Sequence, residues 1–232
     1  MRVLLIPLAL LAAGSAPAPE ERRVLLTGFD RIRVDGPFAV HVVEGPPAAT
    51  VSGDRRAVEG VSVRNQGGVL VVSRNIQTSE GWRGDAALAA VTVAVPRLRS
   101  ANINGGGKLD IDRIEGQRVE LGVNGAGSLS VARLAADQLV TTLTGTGLIR
   151  LGGGTARNAR FMNYGAGSID AAGVAVNDLT VHSQSAGDGS FTARFTASLS
   201  VLGTGAVRVE GNAACRIAGP GPASCAGKSE RR

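Results

Sequence analysis

The chain is poor in aromatic residues and has no dense run of cations. Phe, Trp and Tyr together make up 3% of its 232 residues, although the formal net charge is +6. Surfaces that bind nucleic acid typically combine clustered Lys and Arg with aromatic rings that stack on bases. The composition therefore argues against a nucleic-acid partner, and the charge is better suited to weak attraction toward anionic envelope polymers or lipid headgroups.

Cysteine and histidine are also scarce, with two of each. His41 and His182 are far apart in sequence, and the cysteines lack the C-x-x-C spacing of a redox motif, so we predict no metal site and no cofactor. Cys215 and Cys225 are instead predicted to form a structural disulfide, which requires an oxidising compartment outside the cytoplasm.

Motifs of the common enzyme classes are absent from the sequence. We find no G-x-S-x-G elbow, no G-x-x-x-x-G-K-[ST] phosphate loop, no G-x-G-x-x-G fingerprint and no H-E-x-x-H zinc pair. No catalytic residue is assigned from these patterns.

Glycine, in contrast, is abundant, with 33 residues, and much of it lies in a repeated Gly-x-Gly motif. The copies are Gly105/Gly107, Gly125/Gly127, Gly145/Gly147, Gly165/Gly167, Gly187/Gly189, Gly203/Gly205 and Gly219/Gly221. The first four are spaced by 20 residues and the later ones by 22, 16 and 16. A period near 20 with apolar strands between turns predicts a solenoid.

The residues that follow each motif alternate between apolar and polar. Two positions after the second glycine stand Leu109, Leu129, Ile149, Ile169, Phe191 and Val207, and four positions after it stand Ile111, Val131, Leu151, Ala171, Ala193 and Val209. The position between them holds Asp110, Ser130, Arg150, Asp170, Thr192 and Arg208. This period of two predicts short strands with apolar side chains inside the coil and polar ones outside.

A further inward column precedes the glycines. It consists of Ile103, Val123, Leu143, Val201 and Ile217, and Asn163 and Ser185 interrupt it in the middle coils. Each coil is therefore predicted to contain at least two strands that meet at a glycine corner.

The N-terminal segment has the composition of a secretory signal peptide. Arg2 precedes an apolar run over residues 3–13 and small residues that end at Ala18. The run is shorter than the roughly 20 residues that cross a bilayer, no later segment is long and apolar enough, and no cysteine follows for a lipid anchor. We predict that residues 1–18 are removed, with cleavage after Ala18 or earlier near residues 13–16. The mature protein is expected to be periplasmic, outer-membrane-associated or secreted.

The region before the array is also predicted to be β-structured. Its one helical turn is expected at residues 54–59, capped by Asp54, and residues 77–85 resemble an exposed loop. We expect one continuous domain over residues 25–225, with the first segment covering one open end of the solenoid and the disulfide-bearing segment covering the other. Residues 226–232 form a basic, solvated tail.

Several stretches resemble a known family. FDRIRVDGPFAVHVVEG, VTVAVPRLRSANINGGG and the repeated NGAGSLSV, TGTGLIRL and YGAGSID are similar to the bacterial exported family DUF2807, the "putative auto-transporter adhesin, head GIN domain". The resemblance covers roughly residues 25–225. It implies a right-handed, parallel β-helix-like fold in an envelope or secreted protein, with no established catalytic residues. The sequence departs from the pattern in its shorter last coils and in having no obvious translocator domain.

Asp110 and Asp112 are the acids examined for catalysis. Residues two apart on a strand share a face and have Cα atoms about 6–7 Å apart, and a pair of acids within about 5–9.5 Å can hydrolyse a glycosidic bond. Ser130 and Arg150 occupy the equivalent position on the next coils, so a solvated face of mixed charge explains both acids without catalysis. A catalytic role of the pair stays open.

Asp188, Trp82 and Tyr164 are three further candidates for ligand binding. Asp188, in AGDGSF, lies in a turn that resembles calcium-binding nonapeptide repeats, but the period near 20 disagrees with a nine-residue repeat. Trp82 and Tyr164 could stack on sugar rings. For Trp82 the alternative is packing over the apolar end of the array, and Tyr164 is expected near a corner with its orientation open.

The resulting hypothesis is a non-enzymatic, exported β-solenoid that serves as an adhesion, binding or cell-envelope scaffold module. The alternative is a polysaccharide lyase or hydrolase that uses Asp110 and Asp112, and a third possibility is a purely structural envelope component. Expected partners are an envelope polysaccharide, a glycan or a protein, with at most peripheral membrane contact. The oligomeric state is left open.

Overall fold

The repeating unit of the structure is a coil of about 20 residues, and about six coils stack into a β-solenoid. The structure is a computed structural model that describes residues 20–75 and 89–231. Strands contain 72% of the residues and the helix contains 3%. The predicted all-β solenoid with coils of about 20 residues is confirmed.

The described residues form eighteen strands and one short helix. The elements before the regular array are β1 (Glu20–Leu25), β2 (Arg31–Asp35), β3 (Ala39–Glu44), β4 (Ala48–Gly53), α1 (Arg55–Glu59), β5 (Val61–Gln66), β6 (Val69–Arg74), β7 (Ala90–Val95) and β8 (Ser100–Asn104). The array and the last coils contain β9 (Lys108–Gly125), β10 (Ser128–Gly145), β11 (Leu148–Leu151), β12 (Gly154–Gly165), β13 (Ser168–Ser185), β14 (Gly189–Val201), β15 (Val207–Glu210), β16 (Ala214–Ala218), β17 (Ala223–Cys225) and β18 (Ser229–Arg231).

Each regular coil bends at corners into three straight segments. β10 shows the pattern, because it pairs in parallel with the preceding coil over residues 128–131, 133–136 and 138–145. We call the sheets built from these three segments the first, second and third faces. Leu129, Leu134 and Leu139 point inward from the three segments, and each is at most 3% exposed. The three segments of each coil therefore enclose one continuous apolar core.

The Gly-x-Gly motif forms the corner between the third and the first face. Gly125 has a φ of 121°, which favours glycine. At Gly127 the constraint is space, because a Cβ atom there would lie 2.8 Å from the carbonyl oxygen of Gly107 in the preceding coil. Ser128 donates its backbone N–H to that same oxygen at 2.9 Å. Glycine is thus required at this corner, because the backbone of the preceding coil leaves no space for a side chain.

The first coils do not stack in the order in which they occur along the chain. β2 lies between β6 and β8 on the third face, and β3 lies between β7 and β9 on the first face. The coil made by β2 and β3 is therefore inserted between two coils that follow it in sequence. The sequence did not predict this insertion, because the alternation of β2 and β3 fits any position in the stack.

Antiparallel strands and the helix cover the N-terminal end of the stack. β4 pairs antiparallel with β7, β1 with β4, and β5 with β6. The helical turn predicted at residues 54–59 is confirmed, and α1 buries Ala57 and Val58. Asp54 occupies the N-cap position, but its side chain makes no capping hydrogen bond. The change from parallel to antiparallel pairing ends the stack without leaving its apolar interior open.

The last coils are short because they lose the second segment. On the first face the step between paired residues is 20 from Ile169 to Gly189, 18 from Gly189 to Val207 and 16 from Val207 to Ala223. Between β15 and β16 only residues 211–213 remain. These coils pass almost directly from the first face to the third.

The alignment of coils from sequence is wrong at the copy Gly187/Gly189. It placed Phe191 beside Ile169 and Ala193 beside Ala171, whereas Gly189 pairs with Ile169 and Phe191 pairs with Ala171. A Cβ atom on Gly189 would lie 2.7 Å from the Phe191 ring. Gly189 therefore takes an inward position that leaves room for this ring.

The same shift corrects the inward column before the glycines. Ser185 pairs with Gly165 at the corner, and it is Ser183 that pairs with Asn163 in the inward column. The alignment from sequence is wrong here because Ser185, Gly187 and Gly189 are small and closely spaced, and each of them fits the corner position.

The predicted disulfide between Cys215 and Cys225 is present, with 6.5 Å between the Cα atoms. Cys215 points inward from β16 and is 2% exposed, whereas Cys225 ends β17 on the first face of the terminal coil. The bond therefore crosses the interior where the stack ends, and both residues pack against the core.

Candidate binding faces

The first and third faces are the surfaces that run the full length of the stack. In the described part of the chain the first face consists of β1, β4, β7, β3, β9, β10, β11, β13, β14, β15 and β17 in spatial order. The third face consists of β5, β6, β2, β8, β9, β10, β12, β13, β14, β16 and β18. With neighbouring strands about 4.8 Å apart, each face extends about 50 Å along the stack.

Asp110 lies on the first face and Asp112 at the corner where that face ends, and both carboxylates have basic neighbours. Lys108 Nζ is 2.8 Å from Asp110 Oδ2, and His41 Nε2 is 2.8 Å from Asp112 Oδ1. The side chains of Asp110 and Asp112 are 38% and 50% exposed. Both acids therefore lie on an open, mixed-charge sheet surface, and Ser130 pairs with Asp110 on the next coil, as expected.

The sequence alone does not predict the contact of Asp112 with His41. The two residues are 71 positions apart, and His41 reaches the first face because β3 is inserted beside β9. No local signal in the sequence indicates that insertion.

Other charged side chains on these faces form surface ion pairs. Arg150 Nε is 3.7 Å from Asp170 Oδ2 on the first face. On the second face Arg113 donates hydrogen bonds to Glu115, and these bonds with the carboxylate charge raise the pKa of the Arg113 guanidinium above its ordinary value. Exposed pairs of this kind contribute little to stability, because solvent and salt screen the attraction.

Asp188 has a structural contact. Its Oδ1 atom accepts a hydrogen bond of 2.8 Å from the backbone N–H of Ala206 on the next coil. Among the described residues no group of three or more His, Cys, Asp or Glu side chains is arranged to hold a metal ion.

The aromatic side chain at the glycine corner, Tyr164, lies outward on the third face, because its neighbour Asn163 is the buried residue of the pair. The Tyr164 and His182 ring centroids are 5.9 Å apart, with the ring planes tilted by 58°. Gln184 Nε2 donates a hydrogen bond of 3.0 Å to His182 Nε2. Gln184 thus orients the imidazole beside the tyrosine.

Tyr164 belongs to a row of long outward side chains on β12. The row consists of Asn158, Arg160, Met162 and Tyr164. A shallow groove open to solvent runs beside it and is lined by Arg118, Gln138, Asn158, Arg160, Met162, Asp178 and Thr180. We call the row and this groove the β12 platform.

A buried polar network supports the backbone beside the platform. Asn163 Nδ2 and Ser185 Oγ each donate a hydrogen bond of 2.9 Å to the carbonyl oxygen of Gly167. Ser185 Oγ also accepts a hydrogen bond of 3.0 Å from the backbone N–H of Gly187. In contrast, Thr141 Oγ1, Asn163 Oδ1 and Ser183 Oγ are buried without a hydrogen-bond partner in the described structure. The polar interruptions of the inward column thus lie directly under the β12 platform.

Some predicted features lie outside the described residues. They are the signal peptide at residues 1–18, the loop at residues 77–85, which includes Trp82, and the terminal Arg232. Within residues 20–75 and 89–231 the structure contains no helix long and apolar enough to cross a membrane.

Comparison with known proteins assigns the family. The model of the family DUF2807, described as "Putative auto-transporter adhesin, head GIN domain", matches residues 28–213, and the chain belongs to this family. No curated protein sequence matches the chain at a significant level.

Solved structures share the fold at low sequence identity. A "putative adhesin" from Bacteroides fragilis is similar with a TM-score of 0.64 and 15% identity, over 93% of this chain and 97% of that one. A "putative lipid binding protein" from Parabacteroides distasonis has a TM-score of 0.55 and 17% identity, over 92% and 96%. A "putative adhesin" from Parabacteroides merdae has a TM-score of 0.51 and 19% identity, over 92% and 94%.

Proposed function

We propose that the protein is an exported, non-enzymatic binding module of the cell envelope that holds a polymer on its flat sheet faces. The observation that carries the proposal is the pair of long faces, each built from strands that are paired on both sides over most of its length. A surface fixed by backbone pairing loses little conformational entropy when it binds, so many weak contacts can add to useful affinity.

The family assignment supports this proposal. The family description and two of the similar structures carry the word adhesin, and one similar structure is named for lipid binding. We propose an envelope polysaccharide or another glycan as the partner, with a protein and peripheral contact with lipid headgroups as alternatives. The compartment that we propose is the periplasm, the outer-membrane surface or the exterior.

The domain organisation follows from the same proposal. Residues 1–18 act as a leader that is removed on export, and residues 25–225 form the binding domain. Residues 226–232 were expected to be a solvated basic tail, but Ser229–Arg231 pair with β16 as β18, so this segment extends the third face. Mass spectrometry of the mature protein from its native envelope fraction tests the position of cleavage.

A polysaccharide-active enzyme is the second candidate, and the contact between Asp112 and His41 is the observation that favours it. Against it, Asp110 is paired with Lys108 and both acids lie on an open face. A general acid that acts on a sugar is held in an enclosed, apolar pocket, whereas the side chains of Asp110 and Asp112 are open to solvent.

Size-exclusion chromatography of the mature protein with intact envelope polysaccharides tests the proposal. Co-elution of protein with polymer of unchanged size is the expected result. Shortening of the polymer that is lost in Asp110→Asn or Asp112→Asn would make the protein an enzyme and reject the proposal. Separate elution of protein and polymer would reject a polysaccharide partner.

A further inference from the structure

We infer that the β12 platform binds a glycan strand that carries carboxylates, with Arg160 paired to a carboxylate and the Tyr164 ring packed against a sugar ring. This inference rests on the proposed binding function and specifies its site and its ligand class. Four observations on the third face lead to it.

The first observation is the spacing along β12. Arg160, Met162 and Tyr164 alternate with buried residues, so their side chains leave the same face about 6–7 Å apart from one to the next. One strand thus presents a cation, an apolar thioether and an aromatic ring in a line. A polymer whose repeat unit contains an apolar ring surface and a carboxylate offers the complementary groups in the same alternation.

The second observation is that the residues beside Arg160 are short. Arg160 pairs with Val140 on one neighbouring coil and with Thr180 on the other. Neither side chain is long enough to cover the guanidinium, which is exposed. A ligand can therefore reach Arg160 from the groove that Gln138, Asn158 and Thr180 line.

The third observation is charge. Arg118, which lines the same groove, is 2.7 Å from Glu120 (Nε to Oε1), and Arg157 on β12 is 3.4 Å from Asp137 (Nη2 to Oδ1). The one acid that lines the groove, Asp178, accepts a hydrogen bond of 2.6 Å from Thr196 Oγ1. Arg160 forms no ion pair with any described residue. From residue 140 to the end of the chain, the sequence contains nine Lys and Arg residues and five Asp and Glu residues. An anionic ligand is thus favoured here, and arginine binds carboxylates through two parallel hydrogen bonds.

The fourth observation is that the ring is held in place before a ligand arrives. His182 packs beside Tyr164 and is itself oriented by Gln184. Beneath the corner, Asn163 is fixed by its hydrogen bond to Gly167. A pre-positioned ring loses little freedom on binding, which is how a single aromatic residue on a flat surface can contribute usefully to affinity.

The test uses isothermal titration of the mature protein with short oligogalacturonates, and with dextran oligomers of the same length as the uncharged control. Arg160→Gln removes the charge and Tyr164→Ala removes the ring. Tyr164→Phe keeps the ring, and Arg208→Gln removes an exposed cation of the first face as the matched control. Circular dichroism verifies that each variant is folded.

Wild-type protein is expected to bind oligogalacturonate and not dextran, with affinity that falls as salt is added. Loss of a charge-assisted hydrogen bond predicts binding weaker by about tenfold or more in Arg160→Gln. Tyr164→Ala is expected to weaken binding by roughly three- to tenfold, in the range measured for aromatic contacts. Tyr164→Phe and Arg208→Gln should bind like the wild type.

Three results would overturn the inference. Equal weakening in Arg208→Gln and Arg160→Gln would show diffuse attraction by net charge. Binding to phosphatidylglycerol vesicles but not to oligogalacturonate, lost in the same variants, would assign the platform to a lipid surface. If the wild type does not bind oligogalacturonate but co-elutes with envelope polysaccharide, the inferred site is wrong and the proposed function stands. If it binds neither oligogalacturonate nor envelope polysaccharide, the inferred site and the proposed polysaccharide binding are both wrong.

Discussion

The coils between residues 108 and 171 and the coils after residue 189 are stabilised by different interactions. A regular coil has three segments, and large aliphatic side chains such as Leu129 and Leu134 fill its interior. The last coil has lost its second segment, and a disulfide between Cys215 and Cys225 crosses its interior in addition to buried side chains such as Val209 and Ile217. A solenoid coil can therefore become narrower where a covalent bond supplements its apolar contacts.

The largest expected effect is in the regular coils. Leu129→Ala removes a side chain that is 0% exposed and is expected to lower the free energy of unfolding by about 2–5 kcal/mol, because a cavity remains between stacked coils. The measurement is urea unfolding followed by circular dichroism. The matched control is Ser130→Ala on the outer side of the same strand, which should change stability little. Similar small effects of both substitutions would contradict the inward and outward assignment.

The second effect belongs to the late coils. Replacing both Cys215 and Cys225 by Ser is expected to lower the free energy of unfolding by about 2–3 kcal/mol in the chain-entropy model. Hydrogen exchange should show loss of protection concentrated after residue 189, whereas the regular coils keep theirs. A uniform loss along the whole stack would show that the two regions unfold as one unit.

A smaller effect is expected at the glycine corners of the regular coils. Gly127→Ala places a methyl group 2.8 Å from the carbonyl oxygen of Gly107, and such overpacking costs about 1–3 kcal/mol. Gly106→Ala is the control, because no atom lies within 4 Å of a Cβ atom at that position. The difference between their thermal midpoints measures the cost of close stacking, and equal midpoints would refute it.

The smallest and most discriminating effect lies at the boundary between the two regions. Ser183 and Ser185 are both buried, but Ser183 Oγ has no hydrogen-bond partner whereas Ser185 Oγ has two. Ser183→Ala is expected to raise the free energy of unfolding, and Ser185→Ala to lower it, each by about 1 kcal/mol. Denaturant titration of the two variants side by side gives the sign, and a loss of equal size in both would mean that Ser183 is satisfied by bound water.

Sequence periodicity predicted the regular coils well and the late coils less well. The 20-residue spacing and the alternation around Leu129 and Ile149 identify the inward columns, because side-chain direction on a strand follows a period of two. The alignment failed at Gly189, where a Phe191 ring fills the space of an absent side chain. The periodicity shows whether a side chain points into or out of the coil. It does not show which neighbouring side chain fills the space inside.

The candidate sites, too, could be predicted from the sequence only in part. The outward position of Asp110 follows from its strand, but its neighbour His41 does not, because β3 is inserted out of order. The sequence singled out Tyr164 as a residue near a corner, whereas its packing beside His182 and the position of Arg160 on the same row depend on the register between β12 and β13.

Residue type and spacing along the chain were enough to predict the architecture of the stack, the glycine corners, the family and the pairing of the only two cysteines. The order of the first coils, the width of the last ones and the side chains that meet on each face became visible only in the folded chain. Those features depend on contacts between residues far apart in sequence, and strands of equal pattern can exchange places in a stack without any change in their local sequence.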